Sequence, residues 1–329
     1  MLPDFFVAGV PKAGTTALHS ALAGHPSLFM SPVKEPKFFL TDGRPPPSEG
    51  GPGDARTYRE HVWRRAAYEA LFASAPAGAR RGESTPFYLY SGAAQRRIKA
   101  LIPGAMLIVV LRDPVERAHS NWAHLWSAGL DPCDDFLQAC DLEDERAAAG
   151  WADFWRYTRL GRYGEQLAHL FSVFPREQVL VLRYGRLVAD PAGTLDEVCR
   201  FLGVRHGLLA ELPRENVTAH PSPSARHRVV AVGRRASATA SALLPGRVGA
   251  ALADRLEQLL QADAAPRRPL TWEQREALIG RFESDIRLLE QVTGEDFGAW
   301  LEPRAESGGL VGARPAGQRQ ARNGRPRQF

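Results

Sequence analysis

The chain is poor in lysine. Its 329 residues include four, Lys12, Lys34, Lys37 and Lys99, against 38 arginines. An ammonium is a compact, titratable point charge that a guanidinium cannot imitate. Under so strong a bias each remaining lysine is a candidate for a specific role, and three of the four fall within residues 12–37. Cysteine is scarce too. Cys133, Cys140 and Cys199 cannot all pair within one chain, and their spacing fits no zinc pattern, so reduced thiols are expected. No run approaches the roughly 18–20 apolar residues of a membrane span. The opening, Asp4-Phe5-Phe6-Val7-Ala8-Gly9-Val10, lacks the basic and long apolar regions of a secretory leader. These absences lead to the expectation of a cytoplasmic protein without a membrane span.

What is present builds a core. The apolar fraction is 44% and the charged fraction 24%, an ordinary globular balance. The net charge of +5 invites a nucleic-acid reading, but its location argues otherwise. Residues 303–329 hold six arginines and one acid, which accounts for the whole excess and leaves residues 1–302 neutral. A Gly/Pro/Gln/Arg segment with so little apolar side chain is expected to be a basic disordered tail. The expected layout is therefore a single domain over 1–302 and a tail over 303–329, with no nucleic-acid partner.

The elements alternate. Phe5–Val10 reads as a buried strand, followed by a glycine-containing turn and a helix over Thr15–Ala23. Residues 43–53, rich in Pro and Gly, form a loop, either a lid or a plain surface connection. A helix is expected over 57–74 and a strand over 80–84. Ala105–Leu111 is the most strand-like run. A helix then starts with Asp113 as N-cap, Pro114 at its first position and Glu116 at its third. Helices over 134–148 and 161–174, a strand over Gln178–Tyr184, and helices over 191–203, near 247–262 and over 271–292 complete the pattern. Strand–helix alternation with near-continuous apolar strands argues for an α/β fold, a parallel sheet covered by helices on both faces. Ligands bind such sheets at the carboxyl ends of the strands.

Three segments carry chemistry. Gly9-Val10-Pro11-Lys12-Ala13-Gly14-Thr15-Thr16 lies between a strand and a helix. Its glycines let successive N–H groups turn inward toward a phosphate, and the helix N-terminus adds partial positive charge. Its glycine spacing matches a Walker A loop, but the lysine falls two residues before the second glycine. An ordinary turn of small residues would look similar. The second segment is Leu111-Arg112-Asp113-Pro114-Val115-Glu116-Arg117-Ala118-His119-Ser120. Arg112 ends a strand, and Ser120 lies two helical turns past the cap, so both can converge on one anion. Taken singly, each also suits a sheet-edge salt bridge or a solvated helix residue. The third is Lys34-Glu35-Pro36-Lys37-Phe38-Phe39, where a carboxylate between two lysines suits a general base or a surface charge cluster.

In this order, the three segments resemble those of the sulfotransferases that use 3′-phosphoadenosine-5′-phosphosulfate (PAPS), especially the heparan-sulfate-type and bacterial carbohydrate enzymes. Gly82-Glu83-Ser84-Thr85-Pro86-Phe87-Tyr88, Val179–Tyr184 running on to Asp190-Pro191, and Asp285–Trp300 extend the likeness over about residues 4–301. The resemblance implies a P-loop-type fold and sulfuryl transfer to a hydroxyl or amine of a small-molecule or glycan acceptor. It implies that Lys12, Ala13, Gly14, Thr15 and Thr16 hold the 5′-phosphosulfate and that Arg112 and Ser120 hold the 3′-phosphate. Lys12 would stabilise the leaving phosphate, Glu35 would take the acceptor proton, and no metal would be needed. The chain departs from the heparan-type pattern at Ser84, where several of those enzymes carry Lys. Arg226 and Arg228, in the segment 213–228, stand where the family has a basic loop. Tyr184 is read as an adenine neighbour or a core residue, and His25, His119 and His124 as structural histidines. Two rival readings are a P-loop kinase with Asp113 as its metal-binding carboxylate, and a non-catalytic nucleotide- or polyanion-binding protein.

Overall fold

The computed structural model describes residues 1–213, 220–221, 264–265 and 269–302. Five strands form one parallel sheet: β1 (Phe5–Gly9), β2 (Leu28–Met30), β3 (Arg80–Ser84), β4 (Met106–Leu111) and β5 (Val179–Arg183), in the order β2-β3-β1-β4-β5. The α/β, P-loop-type arrangement read from the sequence is the one observed. Every residue of β1 is buried, as are five of the six of β4, which explains their unbroken apolar runs. β2 was not expected. Three residues are too short to show a period, and its place is fixed by pairing with β3, Leu28 opposite Arg80.

The chain leaves β1 toward β2 and β3 on one side, then returns to lay β4 and β5 on the other. The crevice between the carboxyl ends of β1 and β4 is therefore the switch point of the sheet. Two helices begin there, α1 (Thr15–Ala23) after β1 and α5 (Pro114–Ser127) after β4. Asp113 caps α5 as expected, its carboxylate accepting the N–H groups of Val115 and Glu116, each at 3.0 Å.

Several expected helices are divided. The helix expected over 57–74 is two, α2 (Asp54–Arg59) and α3 (Arg65–Ala70). Between them the Val62 N–H donates to the Pro36 carbonyl at 2.8 Å, so this backbone serves the segment after β2 instead of its own helix. The helix over 134–148 tightens at Leu142 into α6 (Phe136–Asp141) and α7 (Glu143–Ala148), where the Glu143 carboxylate accepts the Thr158 N–H at 2.9 Å. The helix over 271–292 is α11 (Trp272–Ile279) and α12 (Glu283–Thr293), separated where Phe282 buries its ring beside Gly161. The remaining α-helices among the described residues are α4 (Gly92–Leu101), α8 (Tyr163–Val173), α9 (Tyr184–Ala189) and α10 (Pro191–Phe201). The expected helix near 247–262, Arg226 and Arg228, and the tail 303–329 lie outside the described residues.

The far end of the 43–53 loop is anchored. Asp54 accepts the N–H of Gly51 at 2.6 Å, the N–H of Ala152 at 2.8 Å and the Trp155 indole N–H at 3.0 Å. The three cysteines are free thiols, Cys140 and Cys199 buried and Cys133 half-buried. No described helix is long and apolar enough to cross a membrane.

Candidate active site

The loop after β1 is shaped for an anion. Gly14 caps α1 with φ 78° and offers no side chain to the first-turn amides, which have no acceptor inside the helix. Only glycine fits here without strain, because a Cβ would also meet the Tyr184 ring at 3.0 Å. Thr15 is buried and Thr16 half-buried in the first turn, and Ala13 is buried beneath the loop.

Lys12 and Arg112, 100 residues apart in sequence, are joined: Arg112 Nη1 donates to the Lys12 carbonyl at 3.1 Å. The guanidinium also lies 4.9 Å from the centre of the Tyr184 ring and reaches Glu116 at 3.5 Å. Its Nε is buried without a partner. Tyr184 therefore touches both sides of the crevice, Gly14 and Arg112, a role between the two readings the sequence allowed. Ser120 is 8% exposed on α5 and makes no hydrogen bond to Arg112. The structure thus joins the loop to Arg112 directly and shows no such link to Ser120, which lies further along α5.

Asp113 is fully engaged. Besides capping α5 it receives both arms of Arg275, at 3.1 and 2.7 Å, and Arg275 also donates to the Trp300 and Glu302 carbonyls. Both side chains are 4% exposed. Nothing in the sequence linked position 113 to position 275.

The Lys34–Phe39 segment follows β2. Glu35 lies 2.6 Å from Lys34 Nζ and 3.9 Å from Lys37 Nζ, so the two lysines do flank it. Its N–H donates to the Ser84 carbonyl at 2.9 Å, which ties the segment to the end of β3. Lys12, Glu35 and Lys37 are the three non-glycine residues with positive φ among the described residues, at 69°, 57° and 58°. Such conformations cost of order 1–3 kcal/mol each and cluster at functional sites. All three belong to segments singled out for their chemistry.

Two residues here escaped sequence reasoning. Glu83, quoted only as part of a matching run, is completely buried and accepts bonds from Tyr68, Tyr88 and Thr85. His61, between α2 and α3, has an unpartnered buried Nδ1. Burial, then the Lys37 ammonium, lowers its pKa to about 4 against the pull of Glu35, which places His61 beside the Glu35–Lys37 pair. Lone residues between short elements give no periodic signal, and the Val62–Pro36 bond ties the adjoining backbone to this segment. His25, by contrast, is structural as expected: buried, bonded to the Arg205 carbonyl at 2.7 Å and accepting the Ser27 N–H at 3.1 Å. His119 is buried against Trp122 and Phe136.

Comparison with known proteins decides the family. A family model described as "Sulfotransferase family" matches residues 3–207. The chain belongs to the sulfotransferase family. Among similar sulfotransferases, human heparan sulfate glucosamine 3-O-sulfotransferase 6 is 32% identical over 203 residues, covering 62% of this chain and 53% of that protein. Human carbohydrate sulfotransferase 15 is 26% identical over 269 residues, covering 68% and 47%. The chain spans about half the length of these relatives. The crystal structure of a sulfotransferase from Alicyclobacillus acidocaldarius superposes with a TM-score of 0.70 at 26% identity, covering 92% of this chain and all of that one.

Proposed function

We propose that this sulfotransferase-family chain transfers a sulfuryl group from PAPS to a hydroxyl or amine acceptor in the cytoplasm. The observation that carries the proposal is the bond between Arg112 and the Lys12 carbonyl, which joins an amide-lined loop and a guanidinium with an unpartnered Nε across the switch-point crevice. One half offers backbone donors and a lysine, the other a cation for a second phosphate, so these residues fit a nucleotide phosphorylated at both ends.

PAPS supplies an activated sulfuryl group on a phosphate leaving group. The Lys12 ammonium neutralises charge that develops on the departing phosphate, while the amides of Gly14, Thr15 and Thr16 hold the 5′ end. Arg112 holds the 3′-phosphate, with Ser120 further along α5 as its second ligand. Glu35 accepts the acceptor proton, with the Lys34 and Lys37 ammonium groups beside it. For the acceptor we propose a saccharide or another small molecule; the names of the heparan sulfate and carbohydrate sulfotransferases support the former.

Thermal shift with adenosine 3′,5′-bisphosphate and with ATP-Mg²⁺, followed by radiolabelled PAPS transfer into cell extracts, tests the proposal. Stabilisation by the bisphosphate and label transfer are expected. Stabilisation by ATP-Mg²⁺ alone, or ATP-dependent labelling, would overturn it in favour of a kinase.

A further inference from the structure

The segment carrying Glu35 and Lys37 holds two left-handed residues, and its backbone needs something to keep it there. The Lys37 N–H donates to Thr85 Oγ1 and the Phe39 N–H to the Tyr88 hydroxyl, both at 3.4 Å. Each hydroxyl in turn donates a hydrogen bond to one buried group: Thr85 to Glu83 Oε2 at 2.7 Å, and Tyr88 to Glu83 Oε1 at 2.8 Å. A third donor, the Tyr68 hydroxyl, reaches Oε1 at 2.7 Å, while its ring stacks on Phe38 with centroids 4.2 Å apart. Backbone donors at two positions and a ring stacked on a third thus converge, through three hydroxyls, on a single carboxylate.

We propose that Glu83 is a positioning residue for sulfuryl transfer: acting through Thr85 and Tyr88, it fixes the backbone of residues 35–39 so that Glu35 and Lys37 face the reacting groups. The proposal rests on the reading of Glu35 as the base. The arrangement needs Glu83 ionised, because a carboxylate can accept from three hydroxyls at once. A protonated carboxyl must donate one bond itself, and one of the hydroxyls then loses its acceptor.

The groups facing Glu83 are Tyr68 from α3, Thr85 and Tyr88 from the turn after β3, and the Glu35 carboxylate, while Phe6 of β1 pairs beside it. Burial pushes its carboxyl up to about 7, opposed by the three hydroxyls and reinforced by Glu35. Ionisation of Glu83, and with it the ordered segment, is therefore gained as pH rises through neutrality.

Three measurements on the full chain test this: initial rates of radiolabelled PAPS transfer into cell extract across pH, affinity for adenosine 3′,5′-bisphosphate, and amide exchange at Lys37 and Phe39. Glu83→Gln is expected to lower the rate about tenfold or more, the scale of one lost bond to a charged group. It should also flatten the rise in rate near pH 7, speed exchange at both amides and leave bisphosphate affinity unchanged. Thr85→Val, which keeps the carboxylate, should reproduce the faster exchange at Lys37 and lower the rate, and it decides the matter if Glu83→Gln does not fold. Unchanged amide exchange in the variant that folds, or an equal loss of bisphosphate affinity and rate, would overturn the proposal. Full activity in Glu35→Gln would instead remove the base assignment, while the exchange result still reads the Glu83 relay by itself.

Discussion

The two halves of the proposed site are held by different means. On the nucleotide side the groups are local: a glycine turn, the first amides of α1, and an arginine one residue before the cap of α5. On the acceptor side Glu35 depends on distant groups, the Ser84 carbonyl and the Glu83 relay. Apart from the Arg112–Lys12 bond and the Arg275 partner of Asp113, the nucleotide-side devices each draw on residues within a few positions of one another. A relay through a buried carboxylate is sensitive to any of its members and to pH.

Glu35→Gln should divide the halves most sharply, abolishing label transfer from PAPS while bisphosphate affinity by calorimetry stays as in the parent; retained transfer would place the base elsewhere. Next in size is Arg275→Leu. Removing one partner of a buried ion pair costs about 3–5 kcal/mol, which denaturant unfolding would read as lost stability. Lys12→Ala should cost on the order of 100-fold in turnover, the scale of one transition-state donor. If binding fell and turnover did not, the contrast between the halves would blur. Arg112→Ala should weaken bisphosphate binding by roughly 1.5–3 kcal/mol, one charge-assisted contact, with little further effect on a saturated enzyme.

The smallest effect is the pH dependence of stability. The folded pKa of Glu83, about 7, lies above that of an unfolded glutamate, so its contribution to stability falls as pH rises toward 7. The folded pKa of His61, about 4, lies below that of an unfolded histidine, so its contribution is lost as pH falls from about 6.5 toward 4. Glu83→Gln should remove only the first slope and His61→Phe only the second, each read by unfolding at several pH values.

That contrast also explains what could be read from the sequence. The glycine spacing before α1, the Asp113–Pro114 cap and the apolar runs of β1 and β4 are statements about neighbours in the chain, and the structure agrees with them. Glu35 between two lysines was visible for the same reason. Where distant backbone groups took over, the reading failed: the Pro36 carbonyl interrupts the expected 57–74 helix, and β2 exists only by its pairing with β3. Glu83 was legible as a residue but not as a hub, since Tyr68 reaches it from another element and the Thr85 and Tyr88 hydroxyls turn back onto it from the turn that follows β3.

The Arg275–Asp113 clamp bears on where this folding unit stops. The matching family model closes at residue 207, yet the carboxylate beside the proposed 3′-phosphate ligand is neutralised by a helix that begins 65 residues later. A polypeptide trimmed to the family boundary would leave the buried Asp113 carboxylate with only the α5 cap amides and no cation opposite it. A buried carboxylate robbed of its ion-pair partner is costly, so the shortened protein should unfold more readily than the full chain even if its sheet assembled intact.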